Sequence, residues 1–427
     1  MICSLAVGAA AAFLLTMVAF PGGTEGVITG ATLVGFGLGW AMLAILSART
    51  GRPQRWAAVP AVAMTGIGAA LMVSSPSDHT LAVLTWVWPP VTLALAAWTY
   101  LRARRNLNRP SRWLVTVVLT VLAAVSVAAV FANVSSRSFA DTYPAPGTRH
   151  TIGDHALHLD CRGPHTGPTV VLFSGLGEFS ASWARVTDPL TDTTRVCAYD
   201  RAGQGWSDDL NHPQDGIDAA ADLRALLRAA GESGPFVLAG HSIGGPYAMT
   251  YAARYPDDVA GMALLDSTSP QQFDVIPAYP LQNAFMRRFY GVLPSLARAG
   301  LGPLLAGSHL PPAAAAPVDA MAATPRAARN ARDELTTLPD LLQQAQALTS
   351  LDDHPLVVLT SADNARSSEG WTQAQQQMAT LSTNAVHDDV EATHAGMLED
   401  PAGAAASVQA IASVVDAVRT HTPLPAS

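Results

Sequence analysis

The chain has 427 residues, more than one ordinary domain holds, and a net charge of −8. Only 14% of its residues are charged and its mean hydropathy is +0.22, whereas soluble globular domains run near a quarter charged, which argues against a wholly soluble chain. No lysine occurs and no basic patch is interleaved with aromatics, so a nucleic-acid partner is not expected.

The apolar excess lies at the front. Residues 1–140 carry nine arginines against Glu25 and Asp78 alone, giving +7, and the remainder is −15. Five apolar runs fall at 2–20, 27–47, 57–73, 80–101 and 113–133, most of them near the ~20 residues that cross a bilayer as a helix. The fourth holds Trp88-Pro89-Pro90, and a kink is expected there. The reading is an all-α transmembrane bundle of about five helices over residues 1–134.

The loops between the runs suggest an orientation. Arg49, Arg52 and Arg55 follow the second run, and Arg102, Arg104, Arg105, Arg109 and Arg112 follow the fourth. The other two loops carry only Glu25 and Asp78. By the positive-inside rule the arginine loops and the N-terminus are cytoplasmic, and everything after the fifth run lies outside. The first run has no positive charge before it and reads as an uncleaved helix rather than a signal peptide. With hardly any ionisable residue inside a run, the bundle is expected to anchor or interact, the lipid bilayer being its partner.

Residues 135–147 read as a polar linker to a domain at 148–427. A hairpin is expected across Gly153-Asp154, then apolar strands at Thr169–Phe173, Thr194–Tyr199, Phe236–Ala239, Val259–Leu265, Pro355–Thr360 and Ala385–Val390. Helical spacing separates several of them, at Ala219–Ala230, at Tyr247–Tyr255 and, closing the chain, at Ala405–Val418. Strands without polar alternation, interleaved with helices, give an α/β fold with a parallel-type sheet buried on both faces. Residues 268–350 form an insertion too long for a plain loop, expected as a helical cap.

The third of these strands runs straight into Gly240-His241-Ser242-Ile243-Gly244 and then a helix. That is a Gly-x-Ser-x-Gly turn in the strand–turn–helix context that exposes a serine nucleophile. Four further motifs follow the family order: Ser174-Gly-Leu-Gly177, Asp200-Arg-Ala-Gly-Gln-Gly-Trp-Ser207, Thr360-Ser-Ala-Asp363 and His394-Ala-Gly-Met-Leu-Glu-Asp-Pro401. With them, residues from about 148 onward resemble the α/β-hydrolases of the serine-nucleophile type, about two thirds of the chain and none of the membrane part.

The resemblance implies a Ser–His–acid triad and no cofactor. Ser242 stands as nucleophile, needing a neighbouring base, and His394 as that base. Asp363, directly after its strand, is the preferred acid, and Asp266, at the end of the preceding strand, is the alternative. Backbone N–H groups of Leu176 and Ile243 match the oxyanion positions. Ser174 departs from the histidine many members carry before the glycine. Asp200, Arg201, Trp206 and Ser207 read as shaping the loop that supports the oxyanion turn, and Glu178 as an exposed carboxylate at a helix start.

Cys161 and Cys197 would lie on strands that are neighbours in the family's sheet, as a disulfide or as two buried thiols, and an extracytoplasmic location permits the bond. His155 and His158, on one expected strand, lack metal-site spacing, so no metal is invoked. The combined expectation is a membrane-anchored, outward-facing serine hydrolase. Its substrate would be an apolar acyl ester or, less readily, an amide or peptide, cleaved through an acyl-enzyme. Serine at the elbow argues against the aspartate-nucleophile chemistry also found on this fold. The alternative is a non-enzymatic membrane interaction or transport-associated protein using the hydrolase fold for docking.

Overall fold

The computed structural model describes all residues except Met1, Gly51, Arg52, Asn108, Asn211, Ala426 and Ser427; of the loop arginines named above, Arg52 therefore lies outside the described residues. The chain divides into two compact units. One comprises Met1–Ser138 together with Phe285–Ala306 and Ala322–Arg332, and the other Phe139–Ala284, Gly307–Met321 and Asp333–Ser427.

The second unit is built on one sheet of eight strands. They are β1 (Thr148–Ile152), β2 (His155–Arg162), β3 (Val170–Phe173), β4 (Val196–Tyr199), β5 (Phe236–His241), β6 (Val259–Leu265), β7 (Leu356–Ser361) and β8 (Ala385–Val390). Their order across the sheet is β1-β2-β4-β3-β5-β6-β7-β8. The β1–β2 and β2–β4 pairs are antiparallel and all the others parallel. Strands β3 to β7 are buried at every residue, as expected where helices cover both faces. The closing helix Pro401–Thr420 is long and apolar enough to cross a membrane. Its Ile411, Val414 and Val415 instead share a core with Val237, Ala263 and Val357 of the sheet. Cys161 and Cys197, opposite each other on β2 and β4, are joined as a disulfide.

Three further helices of the other unit are each long and apolar enough to span a bilayer, Ile2–Ala19, Glu25–Ser47 and Arg55–Ser74, as is the longer Arg109–Arg137. Asp78–Leu84 and Trp88–Asn106 meet the same test as a pair bent by 44°, and Pro89 and Pro90 open the second member. Small residues let the first helices approach closely: a Cβ on Gly30 would crowd Met72, and one on Gly39 would meet the Gly8 backbone at 2.9 Å.

Two expectations about boundaries change. The stretch read as a linker is mostly helical, because Arg109–Arg137 runs past the last apolar residue and Phe139–Thr142 follows. The insertion is not one cap. Phe285–Ala306 and Ala322–Arg332 belong to the unit of the apolar helices, held by ion pairs that no local pattern reveals. Arg298 binds Glu25 through two hydrogen bonds and Asp78 at 2.6 Å, and Arg329 binds Asp78 at 2.8 Å.

Candidate active site

Strand register assembles the site. Phe173 of β3 lies beside Gly240 of β5, and His241 of β5 lies beside Leu265 of β6. The loops leaving the carboxyl ends of β3, β5 and β6 therefore converge, where open parallel sheets bind ligands. Ser242 sits at the turn with φ of 55°, and Asp266 follows β6 with φ of 44°; both are left-handed conformations costly for residues with a side chain and typical of functional sites. The elbow glycines are needed for space. A Cβ on Gly244 would collide with the Phe173 carbonyl, and one on Gly175 would stand 3.0 Å from the Ser242 Cβ.

His394 lies in the loop after β8. Its Nδ1–H donates to Asp266 Oδ2 at 2.6 Å, and its Nε2 accepts from the Ser242 hydroxyl at 3.0 Å. The first bond fixes the tautomer that leaves Nε2 free to take a proton. Asp266 is fully buried and fully engaged. Oδ1 accepts from the Ser361 N–H and the Trp371 indole, and Oδ2 from the Ser361 hydroxyl and Asn364 amide. Burial alone would push this carboxyl up, but the His394 hydrogen bond and charge and the Ser361 donors outweigh it and hold Asp266 below the usual carboxylate range.

The preferred acid, Asp363, is thus corrected to its alternative, Asp266. Ser361 caps a new helix, Ala362–Ser367, accepting from the Asn364 N–H. That helix start leaves Asp363 exposed while Asn364 turns inward to Asp266. Asn364, three residues past β7, thus holds the acid in place, and the acid itself follows β6.

The loop after β3 is held from several sides. Arg201 donates to the Ser174 and Gly175 carbonyls at 2.6 and 2.9 Å. Glu334, from the insertion, accepts from Arg201 Nε and Nη2, from the Gln204 amide and from the Gly177 N–H. The Gly175 N–H is taken by Glu178. Among the described residues, the N–H groups of Leu176 and Ile243 are engaged by no protein acceptor, as an oxyanion pair would require. Asp200 shapes the following turn by accepting from Ser180 N–H and Trp206 N–H and pairing with buried His158.

Glu178 departs from its expected exposed role. It pairs with His241 Nδ1 at 2.9 Å, while His241 Nε2 donates to the His394 carbonyl at 3.0 Å. The His241 and His394 rings lie 4.7 Å apart. Burial alone would lower His241, yet the Glu178 charge and hydrogen bond raise it. Burial alone would raise Glu178, yet the His241 charge lowers it. Sequence reasoning missed this pair, and it missed Glu334 as well. The only signal for His241 was its place between the elbow glycine and serine, and Glu334 lies 92 positions after Ser242, inside an insertion without motif.

Residues 168–309 match the family model of the alpha/beta hydrolase fold. An uncharacterized protein of Schizosaccharomyces pombe is 28% identical over 306 residues, 62% of this chain and 56% of the relative. Lipase LipV of Mycobacterium tuberculosis is 35% identical over 26% of this chain and 41% of its own length. The chain spans about half the length, or less, of the curated relatives it matches first. Among solved structures, wild-type DBJA aligns with TM-score 0.51 and 20% identity over 64% of this chain and 99% of its own. The sheet-bearing unit thus has the alpha/beta hydrolase fold, the family model matching its residues 168–309.

Proposed function

We propose that the protein is a membrane-anchored serine hydrolase that cleaves esters and, less readily, amides through an acyl-enzyme. One observation carries the reading: the unbroken relay from Ser242 Oγ through His394 to buried Asp266, at an elbow with both oxyanion N–H groups available. The His394 side chain is 37% exposed, so a substrate can reach the relay from solvent. Similarity to a lipase over a quarter of the chain is consistent with ester chemistry.

In this mechanism Ser242 Oγ attacks the carbonyl carbon as its proton passes to His394 Nε2, and Asp266 stabilises the resulting imidazolium without itself taking the proton. The Leu176 and Ile243 N–H groups receive the alkoxide, each worth roughly 3 kcal/mol in related chemistry. The tetrahedral adduct collapses, the C–O bond to the leaving group breaks, and His394 returns the proton to the departing alcohol. Water then repeats the sequence on the acyl-enzyme and frees the acid. No cofactor or metal enters any step.

The proposed topology puts the N-terminus in the cytoplasm of a multi-pass cell-membrane protein and the hydrolase unit outside. Its supports are the arginine-rich loops at Arg49–Arg55 and Arg102–Arg112 and the Cys161–Cys197 bond, which belongs to oxidising surroundings.

The test is hydrolysis of a p-nitrophenyl ester by the full-length protein in detergent micelles. Ser242→Ala is expected to fall to background, Asp266→Asn by about 10⁴-fold, and Asp363→Asn by little. Wild-type rates from Ser242→Ala would overturn the enzyme reading, and a crippling Asp363→Asn would overturn the choice of acid. A membrane-impermeant fluorophosphonate applied to intact cells should label Ser242; labelling only after lysis would refute the orientation.

A further inference from the structure

Four large apolar side chains of the insertion stand in the open within the unit of the apolar helices, Phe285 at 68%, Phe289 at 42%, Leu304 at 80% and Leu305 at 55% exposure, and a fifth, Leu281, belongs to the other unit. Phe285 and Phe289 stack in parallel, one helical turn apart. Exposed aromatics and leucines on one short segment mark a surface that something covers.

The segment's own attachments say what covers it. Arg288 Nε donates to the Met17 carbonyl at 3.0 Å, close to the end of Ile2–Ala19. The Ser295 hydroxyl meets that of Thr29 at 2.8 Å, one turn into Glu25–Ser47. Arg298 is clamped by Glu25 and Asp78, and a Cβ on Gly300 would collide with the Ala128 backbone. Ala128 lies nine residues before the end of Arg109–Arg137, about 14 Å along that helix. The segment thus reaches past the ends of the apolar helices, on the Glu25 and Asp78 side. Their flanks are also exposed and apolar at this level, with Val18 at 64%, Val127 at 63% and Phe131 at 71%. Within this unit, exposed apolar side chains thus occur on the helices and on the insertion attached to them.

We propose that Phe285–Ala306 is a membrane-embedded foot, with Phe285, Phe289, Leu304 and Leu305 among the acyl chains of the outer leaflet. A segment with a charged side that is tied down and an apolar side facing out lies in the interface in this manner. Arg298 meets its two carboxylates within the unit, so that charge is neutralised before it nears lipid, and the long side chains of Arg287 and Arg288 would keep their guanidinium groups at headgroup level. The inference rests on the reading of the helices as membrane spans and is independent of the hydrolytic chemistry.

The experiment uses full-length protein in phosphatidylcholine vesicles, in a Cys3→Ser background because Cys3 is the exposed free thiol. A fluorophore is placed singly at Phe289→Cys, Leu304→Cys, Val127→Cys and exposed Gln376→Cys. Quenching is read with a phosphatidylcholine bearing a nitroxide high on its acyl chain, and separately with aqueous iodide. Labels at 289 and 304 should follow the 127 label, quenched severalfold more by the nitroxide lipid than the 376 label and shielded from iodide. Iodide quenching at 289 and 304 equal to that at 376 would overturn the foot while leaving the spans standing. Protection from both quenchers would also overturn it, in favour of a protein contact. A 127 label that the nitroxide lipid does not reach would overturn the spans and the foot together.

Discussion

The two units bury charge in different amounts but by the same device. In the sheet-bearing unit, ionised groups gather at the carboxyl ends of the strands, each with several donors or acceptors, as at Asp200, Asp266 and Glu178. In the helical unit the apolar segments are nearly free of charge, and one cluster holds Glu25, Asp78, Arg298 and Arg329. In both units, part of the counter-charge comes from the insertion: Arg298 and Arg329 for the helices, Glu334 for Arg201. Arg329 and Glu334 even share one helix, Pro325–Ala345. The difference teaches that a charge is kept in an apolar unit only where a distant stretch of chain can neutralise it, because an unpaired buried charge is prohibitive.

That parallel can be broken first on the helical side, where the effect should be largest. Arg298→Met leaves Glu25 buried without its partner and should lower the unfolding free energy of the helical unit by about 3–5 kcal/mol. Adding Glu25→Gln should restore part of it; thermal unfolding in detergent reads both, and an unchanged midpoint in the single variant would mean the cluster carries no stability. On the sheet side, Glu334→Gln should lower kcat by up to about 100-fold with KM little altered, since it loosens the oxyanion loop without touching substrate. A change confined to KM would instead assign Glu334 to binding.

The smallest effect sharpens the comparison through pH. His241 is raised, so its pairing adds stability in full below its unfolded value of about 6.5 and loses it as pH rises through the higher folded value. Glu178 is lowered, so its contribution is present above its unfolded value of about 4.3 and is lost as pH falls through the lower folded value. The melting temperature of wild type minus that of Glu178→Gln/His241→Gln should therefore be largest between those limits and shrink in both acid and alkali. A difference that is flat with pH would show that the pair is not ionised.

Much of the fold was legible because buried parallel strands announce themselves as unbroken apolar runs, and β3 to β7 do so. The elbow was legible because Gly240, Ser242 and Gly244 answer a local steric demand. The acid was not, because Asp266 and Asp363 both follow strands, and the choice turns on a helix start at Ala362 that swings Asp363 to solvent. The insertion was least legible. Its partners lie hundreds of residues away, as Glu25 does from Arg298, and such pairing leaves no trace in local periodicity.

The interleaved chain order governs how the molecule can be made. The helical unit contains Met1–Ser138 but is completed by Phe285–Ala306 and Ala322–Arg332, which leave the ribosome only after β1 to β6 have been synthesised. Its first helices must therefore wait, with Glu25 and Asp78 still unneutralised, until more than half the polypeptide has emerged. Synthesis in chain order ordinarily lets the first domain fold first; here the unit begun first is finished late. By the same token, a fragment cut at Phe139 would carry Arg298 and Arg329 away from their carboxylates.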